Sequence, residues 1–145
     1  MTSDIVIDEI GPDRVAATWP VMRQLRPHLS EADYVATVDR MRATDGFRLA
    51  AAVQDGVVRA VAGFRRLEML YCGVILSVDD LVVDDAVRSA GFGKRLLDWL
   101  KTEARATGCG QVHLDSRLIR TDAHRFYLRE GFETLGYHFV ARIQS

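Results

Sequence analysis

The stretch Leu81–Leu100, LVVDDAVRSAGFGKRLLDWL, constrains the fold of this chain more than any other. Leu81, Val82 and Val83 form an apolar run of strand type. Polar residues follow, then a short loop holding Gly91 and Gly93, then a helical pattern from Phe92 onward. A strand that runs through a glycine loop into a helix N-terminus is an anion-binding device. The first helical N–H groups have no intrahelical partner, and the helix dipole places roughly half a positive charge there. Glycine lets the backbone approach a phosphate closely. The Walker pattern GxxxxGK[ST] does not fit: Arg88 stands where its first glycine belongs, and Arg95 follows Lys94. The dinucleotide pattern GxGxxG begins at Gly91 and Gly93 but meets Leu96 at its third glycine.

The rest of the chain reads as one domain. Its 145 residues suffice to bury roughly 70% of the unfolded surface. A net charge of −1 offers no basic field for nucleic acid or an anionic membrane. No apolar run approaches the roughly 20 residues of a spanning helix. The opening MTSDIVIDEI is too acidic for a signal peptide, so a cytoplasmic protein is expected. Cys72 and Cys109 lie far apart and read as two thiols. The histidines show no metal-ligand spacing, and no metal is expected.

Asp4–Ile10 alternates as a first strand. Asp13 is placed to cap a helix to about Arg26, kinked at Pro20, and Ser30 to cap a second helix ending at Gly46. Phe47–Val53 and Val57–Glu68 read as a hairpin about Asp55-Gly56, a type I′ signal. Val74–Val83 is the fourth strand. The helix after the loop closes at Gly108, Gln111–Ser116 is a fifth strand, and a helix spans about Thr121–Glu130. Phe132–Ile143 supplies one or two last strands, with Gly136–Ile143 an edge open to pairing in a homodimer. The expected fold class is α/β (α+β): a mixed, largely antiparallel sheet of six to seven strands flanked by helices.

Two motifs sharpen this reading. Arg88-Ser89-Ala90-Gly91-Phe92-Gly93 resembles the (Q/R)xxGx(G/A) pyrophosphate loop of the Gcn5-related N-acetyltransferases (GNAT superfamily). Ala123 to Phe132 is similar to that family's second signature, AxxFYxxxGF, with every position filled. One departure is Arg120, where the family often carries Asn three residues before the motif's Ala. The resemblance covers essentially the whole chain and implies acetyl-CoA as donor. Its pyrophosphate would sit on the backbone N–H groups of Ser89, Ala90, Gly91, Phe92, Gly93 and Lys94, beside Arg88. Its pantetheine arm would lie along Leu81, Val82 and Val83 as an added strand, where the family's fourth and fifth strands splay at a bulge.

Acetyl transfer to an amine needs a base for the acceptor's proton and an acid for the departing thiolate. The resemblance puts Tyr127 in the acid role, with Phe126 the better core aromatic of the pair. Asp79 and Asp80 are the base candidates. On a regular strand they face opposite ways, so at most one reaches the site. Asp79, sharing a face with Leu81 and Val83, is the weakly preferred one. His113 and Asp115 are lesser candidates, His138 is weighed for the acceptor pocket, and His124 reads as a surface residue. Trp19, Arg23, Tyr34 and Tyr71 are weighed for acceptor choice. The expected function is N-acetylation of a small-molecule amine. The alternatives are a protein lysine or N-terminal acetyltransferase and a non-catalytic acyl-CoA-binding module.

Overall fold

The computed structural model describes residues 4–88 and 90–144. Ser89, one of the expected pyrophosphate contacts, lies outside the described residues. The chain forms two compact units, Met1–Leu114 and Asp115–Ser145.

The first unit is a sheet of five strands in spatial order β1-β2-β3-β4-β5, the order of the chain. Strand β1 is Val6–Ile10, β2 Arg48–Gln54, β3 Val57–Met69, β4 Gly73–Val83 and β5 Gln111–Leu114. The first three pairings are antiparallel and β4 with β5 is parallel. Asp55 and Gly56 turn the β2–β3 hairpin with φ of 53° and 75°, the left-handed pair a type I′ turn requires.

Both faces of the sheet are covered, and residue size decides how closely. Ala50, Ala52, Ala60 and Ala62 share one face through the β2–β3 register. Their small side chains let helix α3, Phe92–Ala106, pack against β2 and β3, burying Leu96, Leu97, Leu100 and Ala104. Phe64 lies on the same face and meets Trp99 edge-on at 5.9 Å. On the other face Leu49, Ala51, Val61 and Val82 join Val21, Met22, Tyr34 and Val38 in the main core. These last come from α1, Trp19–Leu25, and α2, Glu31–Asp45.

Of two helix starts expected to be capped, one is and one is not. Ser30 caps α2 as expected, its hydroxyl accepting from the Asp33 N–H at 3.1 Å. Asp13 caps nothing. Pro12 sits at the first position of a 3₁₀ segment, Pro12–Thr18, after an extended Gly11. The single helix expected from Asp13 to Arg26 is therefore a 3₁₀ segment followed by the two-turn α1, with Pro20 in its first turn.

The second unit holds α4, Thr121–Arg129. Gly131, at φ 92°, follows its end. The one or two strands expected over Phe132–Ile143 do not form; among the described residues this stretch carries no strand. The sheet accordingly has five strands, not six or seven. Alternation supplies a face, but a strand exists only with a hydrogen-bonded neighbour.

Candidate active site

The site is built where β4 changes character. From Gly73 to Val78 the strand pairs with β3 on one side, and Ile75–Val78 pair with β5 on the other. The parallel ladder ends at Val78↔Leu114. Beyond it, Asp79–Val83 continue with β3 as their strand neighbour among the described residues. The register across β3 shifts at the same point: Phe64 faces Val78, Gly63 faces Asp80, and Asp79 is the extra residue of a bulge. The Asp79–Val83 backbone edge is thus open on the β5 side, as strand addition by an extended ligand requires.

The bulge also decides where the acids point. Regular alternation would separate Asp79 from Asp80, but both line one pocket on the α1–α2 side of the sheet. This corrects the expectation that only one could face the site. It also corrects the face assigned to Asp79. Leu81 pairs with Ala62 on the α3 side, whereas Val82 belongs to the core on the pocket side.

The pocket encloses about 300 Å³. Met22, Leu29, Tyr34, Val38, Met41 and Phe47 supply its apolar wall. Arg26, His28 and Thr37 join the two acids as its polar members. Of the residues weighed for acceptor choice, Tyr34 lines it. Burial pushes the Tyr34 phenol up to about 12, and its hydroxyl is hydrogen-bonded to Thr18 Oγ1 at 2.7 Å. It is a neutral part of the wall. Trp19 is held by its indole N–H on the Leu29 carbonyl, with Arg23 stacked over the ring. Tyr71 is exposed beside His113.

Asp80 and Asp79 differ in environment. The Asp80 side chain is only 15% exposed and accepts from Arg26 Nε at 2.9 Å. Burial raises its carboxyl above the usual range. Arg26 opposes that shift and the neighbouring Asp79 charge adds to it. Asp79 is more open and is gripped from one side by Arg65, whose Nε and a terminal nitrogen both donate to Oδ2. Arg26 spans the bulge, donating also to the Asp79 carbonyl at 3.1 Å.

Gly63 is a site residue that the sequence reading missed. A Cβ there would stand 2.5 Å from the Phe47 ring and 2.7 Å from Asp80 Oδ2. The strand needs glycine at this position for space, so that Phe47 and the acid can both pack over it. A glycine inside an otherwise apolar strand is the signal that points to such close approach.

After Val83 the chain passes through the 3₁₀ turn Asp85–Val87. Asp84 caps it and is bonded by Gln24 of α1, which also accepts from the Asp85 N–H. Arg88 is exposed and paired with Asp85, and Ala90 is exposed. Gly91 caps α3 at φ 89° with open space around it, Phe92 is buried, and the first α3 bond runs from the Arg95 N–H to the Gly91 carbonyl. The N–H groups of Phe92 and Gly93 therefore lie in the first turn of α3, ahead of its first intrahelical bond, the kind of helix start that suits an anion. Lys94 pairs with Asp98 at 3.4 Å.

In the second unit, Tyr127 is buried and Phe126 only partly so, the reverse of the expected division. Its ring meets Phe132 edge-on at 5.9 Å. Burial raises the phenol above its usual value, against the charge of Arg120. The histidines have local partners: His113 with Gln111, His124 with the Arg117 carbonyl, and His138 with Asp115. Among the described residues no group of three or more His, Cys, Asp or Glu is arranged to hold a metal ion. Nor is any helix long and apolar enough to cross a membrane.

Comparison with known proteins agrees with this geometry. The model of the acetyltransferase (GNAT) family matches residues 15–132, across both units. The chain is 35% identical to an uncharacterized N-acetyltransferase of Bacillus subtilis, over 86% of this chain and 88% of that one. It is 32% identical to the aminoalkylphosphonate N-acetyltransferase of Salmonella typhimurium, over 77% and 75%. In fold it is similar to an aminoglycoside N-acetyltransferase solved with CoA, with a TM-score of 0.88 and 17% identity, over 100% of this chain and 98% of the other. With motif, bulge and cradle in place, the chain belongs to the acetyltransferase (GNAT) family and is an acetyl-CoA-dependent N-acetyltransferase.

Proposed function

We propose that the chain acts as one acetyltransferase domain on the primary amine of a small molecule. The carrying observation is the coincidence of three features on β4: a backbone edge without β5, a bulge, and a buried acid lining a pocket. Acetyl-CoA lies with its pantetheine along Leu81–Val83 and its pyrophosphate on the first turn of α3. The relatives named for aminoalkylphosphonates and aminoglycosides support a small acceptor.

Asp80 is the base. An amine with a free pKa of about 10.4 must lose a proton to attack the thioester. A carboxylate made more basic by burial accepts that proton more readily than an ordinary one. Asp79, neutralised on one side by Arg65, keeps negative charge beside Asp80 and helps hold the incoming ammonium. Tyr127 supplies a proton to the departing thiolate, for which its raised pKa keeps it protonated at neutral pH.

The test is calorimetric titration with acetyl-CoA, followed by thiol release against a pool of primary amines. Gly91→Glu places bulk and negative charge on the cradle and is expected to abolish acetyl-CoA binding; unchanged affinity would remove the loop assignment. Tyr127→Phe is expected to keep that affinity and lower kcat about 100-fold or more. An unchanged kcat would assign the leaving-group proton to another donor.

A further inference from the structure

We infer that the acceptor is a primary amine on a compact apolar body that carries no anionic group, because the pocket's acids already occupy the cations beside them. The inference rests on the reading of this pocket as the acceptor site. Its wall is the side chains of Met22, Leu29, Val38, Met41 and Phe47 with the Tyr34 ring. The volume of about 300 Å³ is at the lower end for ligand pockets. A dry apolar cavity of roughly 150 Å³ already takes up a benzene, so a single ring with a short aminoalkyl arm fits.

Charge sets the second half of the inference. Two carboxylates, Asp79 and Asp80, line the pocket against one guanidinium, Arg26. That guanidinium donates to Asp80 Oδ1 and to the Asp79 carbonyl. Arg65, behind the bulge, is shared between Asp79 and Asp45. His28, also in the lining, is exposed. An ammonium entering here meets the two carboxylates. A carboxylate or phosphonate on the same small molecule would be brought close to those carboxylates in a partly dry site, where like charges repel strongly. This selectivity differs from that in the name of the Salmonella relative, an aminoalkylphosphonate acetyltransferase.

The experiment compares kcat/KM for phenethylamine, phenylalanine and 1-aminoethylphosphonate at saturating acetyl-CoA. Phenethylamine and phenylalanine differ only by the carboxylate. Phenethylamine is expected to exceed both anionic amines by about 100-fold, the scale of a like-charge penalty. Thr37→Arg, which adds a cation to the lining, is expected to narrow the phenethylamine–phenylalanine ratio about tenfold through a new charge-assisted contact. Equal rates, or a preference for either anionic amine, overturn the inference and leave acetyl transfer to a small amine standing. If no amine is acetylated, calorimetry on the CoA-bound enzyme separates the two claims. Binding of phenethylamine without phenylalanine upholds the pocket's selectivity and overturns amine acetylation. No binding of phenethylamine overturns the selectivity.

Discussion

The two halves of β4 are made of one continuous backbone and do different work. Gly73–Val78 is flanked by β3 and, over most of its length, by β5; its Ile75, Leu76 and Val78 are buried. Asp79–Val83 begins with an extra residue, leaves β5, and turns both its acids toward a pocket. The first half is held by hydrogen bonds on both sides, so its residues contribute mainly to stability. The second keeps one ladder, and the proposed chemistry draws on its freed edge and altered side-chain direction. One inserted residue separates them.

Substitutions break this comparison in order of size. Asp80→Asn keeps an oxygen for Arg26 but removes the base, and kcat is expected to fall about 10²–10⁴-fold with the fold intact. Rate measurements on a variant with unchanged circular dichroism check this; a loss below threefold would return the role to Asp79 or water. Leu76→Ala, in the two-sided half, is expected to destabilise by about 2–5 kcal/mol while kcat per folded molecule stays the same. Chemical denaturation measures it, and a matching loss of kcat would erase the distinction between the halves. Gly63→Ala acts at the boundary. Phe47 and Asp80 must both shift, costing about 1–3 kcal/mol of overpacking and a drop in kcat of about tenfold or more.

The smallest effect is in pH dependence. Burial holds the Asp80 carboxyl above its unfolded value, so its protonated form favours the fold. That contribution is fully present below the ordinary aspartate pKa and is lost as pH rises through the raised folded value. The catalytic consequence has the opposite sense: activity needs the carboxylate and rises through the same range. Asp80→Asn is expected to flatten the stability profile there and to remove the acid limb of kcat. An acid limb that survives the substitution would assign it to another group.

What the sequence made legible was whatever depends on near neighbours in the chain. The Ser30 cap, the Asp55-Gly56 turn, the run from Val83 through Gly91 into α3, and the two family motifs all sit where they were read. The catalytic geometry was less legible because it depends on pairing. Nothing in DDLVV marks a bulge, and a regular strand would put its two acids on opposite faces. Only the register against β3 shows that Asp79 is extra and that both acids share a face. Gly63 carried a usable sign, since an apolar strand rarely tolerates glycine without a close neighbour. Residues 132–143 were read as one or two strands, but what makes a strand is a hydrogen-bonded partner, which lies in another segment.

The chain-order sheet has a consequence for biosynthesis. Strands β2, β3 and β4 form a meander joined by a two-residue turn and by residues 70–72. Strands β3 and β4 each meet the strand made just before, with little loop to close. The helices and strands that wall the pocket beside Asp79 and Asp80 are therefore all translated before the glycine loop and α3 leave the ribosome. Parallel pairing of β5 must wait for the whole α3 crossover, a slower and less local step. The nascent enzyme can thus assemble the proposed acceptor side first and the proposed donor cradle second. Faults in elongation past Val83 would then leave a chain with a formed hairpin sheet and an uncovered β4 edge, the kind of species that chaperones engage.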